Sequence, residues 1–282
     1  MIWYLVCGIC YFKSEISDLR FYRGERESGK VRASLGIDLG SRMTKIVRLE
    51  DGRVAEAQEF DTGHDPLAHV VEALRRHRAD TVVATGYGRR LAQEHVPCLA
   101  VTEIRACARA AVHLVPGVRA AIDIGGQDSK AMEVAEDGSF GRFEMNDRCA
   151  AGTGRFLEVM AAALGYAIAD FGPEALRADR PLEVSSLCTV FAESEVISLV
   201  AKGEDRRRIG LGLHLATARR VAAMASRIKL GEPTLFVGGV ARNACMVRAL
   251  GEELPVKLVV PDRPELAVAL GAALIGLDSL GR

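Results

Sequence analysis

Residues 35–41 read LGIDLGS, and residues 121–129 read AIDIGGQDS. In both stretches a short apolar strand runs into an aspartate, Asp38 or Asp123, and then into small residues and a polar strand. Glycines allow backbone N–H groups to approach anionic oxygens closely, and a carboxylate can hold a hydrated cation. Each stretch is therefore suited to phosphate and magnesium. The pair predicts two duplicated halves that face each other across a nucleotide.

The chain from Ser34 onward alternates strands with helices, which is typical of an α/β fold. Strands are predicted at 34–39, 43–50, 53–60, 81–85 and 98–102, and again at 119–124, 129–136, 139–145, 234–237 and 256–260. Helices are predicted at 66–78, 89–95, 103–114, 153–164, 189–202, 205–229 and 243–254, followed by a final helix. Asp65 is the predicted N-cap of the first helix and Pro66 its first residue.

The duplication also predicts the domain boundaries. Residues 1–33 are interpreted as a poorly ordered N-terminal extension, because the polar part is charged and aperiodic. Residues 34–118 form the first predicted subdomain, completed by a C-terminal helix at about 264–280. Residues 119–263 form the second. Both are of the βββαβαβα type.

Composition and charge indicate which kinds of partner the chain is expected to bind. With 282 residues, of which 49% are hydrophobic, the chain is able to bury a sizeable core. Lys+Arg and Asp+Glu both number 37, so no net charge favours nucleic acid or an anionic membrane. The apolar start, Met1 to Phe12, is too short to span a bilayer and lacks the basic region of a secretory signal. We therefore expect neither a nucleic-acid nor a membrane partner.

The cysteines point to a reducing compartment. Their number, seven, is odd and their spacing is wide, which fits the cytoplasm better than a secreted disulfide framework. Cys7 and Cys10 have metal-ligand spacing, but no second pair follows nearby. Cys98, Cys107 and Cys245 are interpreted as inert packing residues.

The glycine turns predict a nucleotide clamp. Asp38 and Asp123 are expected to bridge magnesium through water, while N–H groups around Gly40-Ser41 and Gly125-Gly126 hold the β- and γ-phosphates. Gly238-Gly239 follows a buried strand and leaves room for adenosine against the backbone. The first turn has no G-x-G-x-x-G, and no G-x-x-x-x-G-K-S/T is present, so a dinucleotide Rossmann site and a P-loop are both disfavoured.

Two lysines and two cysteines carry further hypotheses. Lys45 and Lys130 lie in the outgoing strands and are either phosphate contacts or exposed strand residues. Cys149 and Cys188 each precede a predicted helix, where a thiolate or an anionic iron–sulfur cluster is stabilised by the helix dipole. Two thiolates cannot complete a cubane cluster, which requires four, but a symmetric dimer would supply four.

These segments resemble a known family. The chain is similar to the ATP-dependent activators of 2-hydroxyacyl-CoA dehydratases, grouped with the ATP-binding subunits of benzoyl-CoA reductases, within the actin/Hsp70/hexokinase-like ATPases. Arg42 departs from the pattern, since a small hydroxyl residue is usual there. The segments that carry the resemblance are 36–41, 85–89, 123–128, 146–157, 188–195 and 238–243.

The resemblance implies a homodimer of actin-like subunits that holds one 4Fe–4S cluster through Cys149 and Cys188 of both chains. ATP hydrolysis then moves the helices behind these cysteines, and the cluster passes an electron to a dehydratase or reductase component. A ferredoxin or flavodoxin is the implied electron donor. Gln127, beside the γ-phosphate turn, either positions the attacking water, senses hydrolysis, or is a surface amide.

Three alternatives remain open from the sequence. The same motifs serve a benzoyl-CoA reductase subunit. An actin-fold sugar or acid kinase would use Asn146-Asp147 to bind and deprotonate a substrate hydroxyl, although Cys149 and Cys188 have no role in it. A non-catalytic ATP sensor is the third alternative.

Overall fold

The computed structural model describes residues 31–185 and 188–281, which form two compact units. The first unit contains the described residues up to Ala110 together with Val268 and the residues that follow it, and the second contains Ala111–Ala267. The boundary lies a few residues earlier than the predicted one, inside a helix. Residues 1–30, and with them Cys7 and Cys10 of the predicted extension, lie outside the described residues.

The first unit is built on a sheet of five strands in the order β3-β2-β1-β4-β5. β1 pairs antiparallel with β2 and parallel with β4. The strands are β1 (Ala33–Leu39), β2 (Met43–Glu50), β3 (Arg53–Asp61), β4 (Thr81–Thr85) and β5 (Leu99–Ala100). The helices are α1 (Ala68–Arg76), α2 (Arg89–His95), α3 (Glu103–Leu114), which crosses the boundary, and the C-terminal helix.

The second unit repeats this arrangement, with a sheet in the order β8-β7-β6-β9-β10. Its strands are β6 (Ala120–Ile124), β7 (Ser129–Val134), β8 (Phe140–Asn146), β9 (Thr234–Val237) and β10 (Leu258–Val259). Its helices are α4 (Gly154–Ala163), α5 (Ile168–Ala175), α6 (Thr189–Ala201), α7 (Arg206–Ala225) and α8 (Ala244–Glu253). The C-terminal helix, α9 (Ala267–Leu280), belongs to the first unit from Val268 onward.

The register shows how closely the two sheets correspond. Asp38 of β1 pairs with Lys45 of β2, and Asp123 of β6 pairs with Lys130 of β7. Each aspartate strand also has a parallel neighbour, β4 or β9, on its other side. The duplication predicted from two short motifs therefore extends to whole sheets.

The aspartate strands form the centre of each core. β1 is buried along its whole length, and so is β6, because each lies between two other strands with apolar packing against the sheet. In the first unit α9 packs directly on β1: a Cβ at Gly36 would collide with the carbonyl oxygen of Ala269. Burial on this scale rigidifies the strand ends from which the aspartates project.

Several predicted elements were wrong in detail. The first helix begins at Ala68 with Leu67 as N-cap, whereas Asp65 accepts a hydrogen bond from the N–H of Leu67 at 3.2 Å in the preceding turn. α5 was missed because Pro173 lies inside it and lacks the N–H of a helix interior. Burial of Phe171 against the His214 ring, 4.4 Å between centroids, offsets that loss. The strand predicted at 256–260 is reduced to Leu258–Val259.

Within the described residues, no single helix is long and apolar enough to cross a membrane. α4 and α5 pass that test only as a pair, by length and composition, and they are bent by 81° at their junction.

Candidate functional site

The first aspartate hairpin combines a buried carboxylate with a lysine. Asp38, at the end of β1, is 6% exposed. The Lys45 Nζ lies 3.3 Å from Asp38 Oδ2, and its side chain keeps 16% exposure. The following turn is fastened by Thr62, whose hydroxyl donates to the carbonyl oxygen of Gly40 at 2.8 Å. Lys45 is thus an ion-pair partner of the predicted magnesium ligand, not an isolated surface strand residue.

The second hairpin uses an extra carboxylate. Asp123 is 4% exposed, and its Oδ2 lies 3.9 Å from the Nζ of Lys130. The same ammonium is 2.8 Å from the Oδ2 of Asp128, and the Lys130 side chain is only 3% exposed. Lys130 is therefore a buried cation that balances two carboxylates. Asp128, which the sequence reasoning passed over, completes this arrangement.

Each aspartate is closely approached by a glycine from the parallel neighbouring strand. Gly86 follows β4 with φ +88°, and Gly238 follows β9 with φ +89°. A Cβ at Gly86 would lie 2.6 Å from Asp38 Oδ1, and a Cβ at Gly238 would lie 2.5 Å from Asp123 Oδ1. Gly238 was predicted as an adenosine contact, but its counterpart Gly86 was not selected as a site residue.

The Gly125–Gly126 turn is bonded to the start of α4. The N–H of Gly154 donates to the carbonyl oxygen of Gly125 at 2.9 Å, and the N–H of Arg155 donates to that of Gly126 at 2.8 Å. These two N–H groups at the start of α4 therefore bind the turn and do not bind the Cys149 thiolate.

The other predicted nucleotide residues lie at the same turns. Ser41 follows Gly40 and is exposed, and Gln127 follows Gly126 and is exposed. Gly239 begins a 3-10 helical turn, Gly239–Arg242, that leads into α8. Asn243 caps α8 by accepting from the N–H of Met246 at 3.1 Å.

Cys149 and Cys188 occupy different settings. Cys149 is half-buried in the loop between β8 and α4, five positions before that helix begins. Cys188 is exposed and is the N-cap of α6, where its carbonyl accepts from the N–H of Ala192 at 2.8 Å. α6 continues with the exposed apolar side chains Val190, Phe191 and Ile197.

The cysteines predicted to be inert are buried to different extents. Cys107 and Cys245 are buried, and Cys98 is partly buried. Burial raises the pKa of Cys98 to about 11 and that of Cys245 to about 12. These thiols therefore resist ionisation at neutral pH.

A buried histidine, His214, is hydrogen-bonded to Asn243, the N-cap of α8. The His214 ring is fully buried, and its Nδ1 is 2.7 Å from the carbonyl oxygen of Gly210, so it carries the proton. Its Nε2 accepts from the Asn243 amide nitrogen at 3.0 Å. Burial lowers the pKa of His214 to about 4, which keeps the ring neutral.

Two thiols in one chain are an incomplete set for a cubane cluster. Across residues 31–185 and 188–281, no group of three or more His, Cys, Asp or Glu side chains is arranged to hold a metal ion. The donor chemistry of Cys149 and Cys188, two thiols at or near the surface, fits a centre that is shared with a second copy.

The comparison with known sequences decides the family. The sequence pattern of the BadF/BadG/BcrA/BcrD ATPase family matches residues 35–276. The chain belongs to this ATPase family. It is 39% identical over 254 residues to the 2-hydroxyisocaproyl-CoA dehydratase activator of Clostridioides difficile, covering 87% of this chain and 95% of that protein. A benzoyl-CoA reductase component of Thauera aromatica is 33% identical over 262 residues, covering 86% of this chain and 92% of that protein.

Solved structures agree with this membership. The crystal structure of the Acidaminococcus fermentans (R)-2-hydroxyglutaryl-CoA dehydratase component A superposes with a TM-score of 0.84 at 36% identity, covering 89% of this chain and all of that one. A ROK family glucokinase from Streptomyces griseus, at 12% identity and a TM-score of 0.55, shares the fold alone. The predicted actin/Hsp70/hexokinase-like α/β fold is confirmed, as is the predicted family.

Proposed function

We propose that this ATPase is an iron–sulfur activator that delivers a low-potential electron to a 2-hydroxyacyl-CoA dehydratase. The observation that carries the proposal is the contrast among the cysteines of an activator-like chain. Cys188 is exposed and Cys149 is half-buried in the loop that leads to Gly154, which binds the Gly125–Gly126 turn, whereas burial raises the pKa of Cys98 and Cys245. The names of relatives that are 39% identical support an activator role.

Each hairpin carries groups that would bind part of Mg–ATP. Asp38 and Asp123 would orient the hydrated magnesium, and Lys45, whose side chain is partly exposed, would balance the charge of the phosphates. N–H groups around Gly40-Ser41 and Gly125-Gly126 would contact phosphate oxygens, except that of Gly125, which donates to the carbonyl oxygen of Asp128 at 2.9 Å. Gly238-Gly239 would lie against adenosine. Gln127 positions the attacking water or senses hydrolysis, since its amide is exposed at the tip of the second turn.

Cys149 and Cys188 of two chains would supply the four thiolates of one 4Fe–4S cluster. When bound, that cluster would supply one-electron chemistry at low potential. The exposed apolar residues Val190, Phe191 and Ile197 of α6 support a homodimer, because burying them against a second copy would bring two Cys188 residues near each other. A reducing, cytoplasmic setting and a ferredoxin or flavodoxin donor belong to this proposal.

The test is an anaerobic purification with iron and sulfide analysis, followed by the same analysis of Cys149→Ser and Cys188→Ser. We expect about four irons per dimer in the parent protein and essentially none in either variant, with nucleotide binding retained. A colourless, iron-free parent protein, or a variant with a full iron complement, would contradict the ligand assignment. Cys245→Ser is the matched control, because its thiol is buried and should leave the iron content unchanged.

A benzoyl-CoA reductase subunit is a second candidate within the same class. The Thauera aromatica relative, at 33% identity, favours it as an alternative partner assignment. Electron delivery to a purified dehydratase component, compared with delivery to an aromatic reductase component, separates the two.

The kinase alternative is weakened by the contacts of Asn146. Its amide nitrogen donates to the carbonyl oxygens of Cys149 and Ala151, so both N–H groups are already used within the loop. ATP turnover without any added hydroxyl substrate would count against a kinase and for the activator.

A further inference from the structure

The loop that carries Cys149, residues 146–153, is tied down through its own backbone carbonyls. Asn146, the last residue of β8, donates from Nδ2 to the carbonyl oxygen of Cys149 at 2.9 Å and to that of Ala151 at 3.0 Å. Arg220 of α7 donates from Nε to the same Ala151 carbonyl at 3.0 Å. The end of β8 and helix α7 therefore both hold the backbone around the cysteine; we call this pair of contacts the clamp.

The far end of the loop is tied to the Gly125–Gly126 turn. Thr153 closes the loop by donating to the carbonyl oxygen of Ala150, both from its N–H at 3.0 Å and from its hydroxyl at 2.7 Å. The next residue, Gly154, sits so close to the turn that a Cβ there would be 3.1 Å from the Gly125 carbonyl oxygen. The turn, the loop and the start of α4 thus form one continuous hydrogen-bonded unit.

We propose that Asn146 and Arg220 are positioning residues that couple the Cys149 thiol to the Gly125–Gly126 turn. The inference rests on the proposed function, in which that turn contacts phosphate and Cys149 is a cluster ligand. A rigid element transmits a displacement at one end to its other end, whereas a loose loop absorbs it. With the clamp in place, a movement of the turn on nucleotide binding displaces Cys149. Without the clamp, nucleotide still binds and the thiol no longer responds.

Neighbouring arginines on α7 provide a matched control. Arg219 stands next to Arg220 but pairs with Glu253, 3.2 Å from its Nε, and its guanidinium is thereby directed to α8 instead of the Cys149 loop. Removing Arg219 therefore takes away a similar charge and a similar stem from the same helix. A difference between Arg219→Ala and Arg220→Ala isolates the contact to Ala151.

The experiment measures the alkylation rate of Cys149 in metal-free, full-length protein, with and without magnesium and a non-hydrolysable ATP analogue. Trypsin cuts after Arg148 and Arg155, so the peptide 149–155 contains Cys149 as its only cysteine and mass spectrometry reads it alone. We expect the nucleotide to change the parent rate by about fivefold or more. In Asn146→Asp and Arg220→Ala the ratio should fall to near one, with nucleotide affinity unchanged. Arg220→Lys should restore part of the response, and Arg219→Ala should retain all of it.

The outcomes separate this inference from the proposed function. The coupling is overturned if the nucleotide does not change the alkylation rate of Cys149 in the parent protein. It is also overturned if Arg219→Ala and Arg220→Ala lose the nucleotide response to the same extent. Asn146→Asp keeps the side-chain shape while removing the donors, so it tests the clamp even if Arg220→Ala fails to fold. If the anaerobically purified parent protein contains no iron but shows the nucleotide response, and the clamp variants lose that response, the coupling is supported and the cluster proposal is contradicted. In cluster-loaded protein the same variants should abolish the nucleotide dependence of the electron paramagnetic resonance signal.

Discussion

The two aspartate hairpins share strand order and register but differ in how their lysines are held. Lys45 is 3.3 Å from Asp38 and its side chain keeps 16% exposure, whereas Lys130 is 3% exposed and lies closer to Asp128, at 2.8 Å, than to Asp123, at 3.9 Å. Because Lys45 keeps this exposure, it is the lysine that we propose as a phosphate contact. Lys130 instead neutralises two carboxylates, so its main contribution is to the stability of the hairpin.

The turns of the two hairpins also differ in the groups that donate to their carbonyl oxygens. The Gly40 carbonyl of the first hairpin accepts from the side chain of Thr62, whereas the Gly125 and Gly126 carbonyls of the second accept from the first N–H groups of α4. The second turn is thereby connected to the segment that carries Cys149. Duplication has preserved the sheet, and the contacts added around each turn distinguish the two halves.

Both hairpins depend on a glycine that lies against the aspartate, and replacing that glycine should destabilise either unit strongly. Gly86→Ala and Gly238→Ala each force a side chain into a left-handed backbone against an aspartate and a carbonyl, so each should lower the free energy of unfolding by about 4 kcal/mol. Denaturant unfolding of the two variants checks this.

Gly52→Ala and Gly117→Ala are the controls, because both glycines also have positive φ but a Cβ there would meet nothing within 4 Å. They should cost about 1 kcal/mol from backbone strain alone. Equal losses in the controls and in the strand-end variants would contradict the close approach to the aspartates.

The two lysines should contribute differently to stability. Lys130→Ala removes the buried cation that faces Asp123 and Asp128, so it should destabilise the protein by about 3 kcal/mol. Lys45→Ala should cost about 1 kcal/mol or less, because its ion pair is partly solvated, and should instead weaken ATP binding. Thermal melts together with nucleotide titrations measure both. Equal destabilisation by the two variants would erase the distinction between the hairpins.

The aspartates should behave alike where the lysines do not. Asp38→Ala and Asp123→Ala each remove a group proposed to orient hydrated magnesium, so ATP turnover should fall by about 100-fold in either variant. Iron content should stay at the parent level, since Cys149 and Cys188 are untouched. Phosphate release and iron analysis on the same preparations test this, and normal hydrolysis in both variants would remove the magnesium assignment.

The buried His214 of the second unit should make stability weakly dependent on pH. Burial lowers the pKa of His214 to about 4 from an unfolded value of 6.5, so the unfolded chain binds the proton first as the pH falls. Stability is therefore complete above pH 6.5 and is lost towards pH 4, by about 1 kcal/mol between pH 7 and pH 5.5. Denaturant unfolding across that range measures it. His214→Gln should flatten this part of the profile, and an unchanged slope would contradict the assignment.

Most strand positions were readable from the sequence because they rest on local patterns. An apolar run ending in Asp and glycine marks β1 and β6, and the Asp51-Gly52 turn has the positive φ angles that such a pair adopts. α5 was not readable, because Pro173 is a strong local signal against a helix and only the burial of Phe171 overrides it. The N-cap at Asp65 failed for a related reason: its carboxylate is used inside a turn.

The duplicated α/β fold and the family could be predicted from the sequence, because both follow from residue types at short spacing. The same segments led us to propose Cys149 and Cys188 as the cluster ligands. Only the tertiary structure decided that Lys130 is buried between two carboxylates, that Gly86 matches Gly238, and that Asn146 and Arg220 hold the Cys149 loop. The physical reason is distance along the chain. Strand register and packing bring residue 220 to residue 151 and residue 86 to residue 38, and no local pattern encodes such contacts.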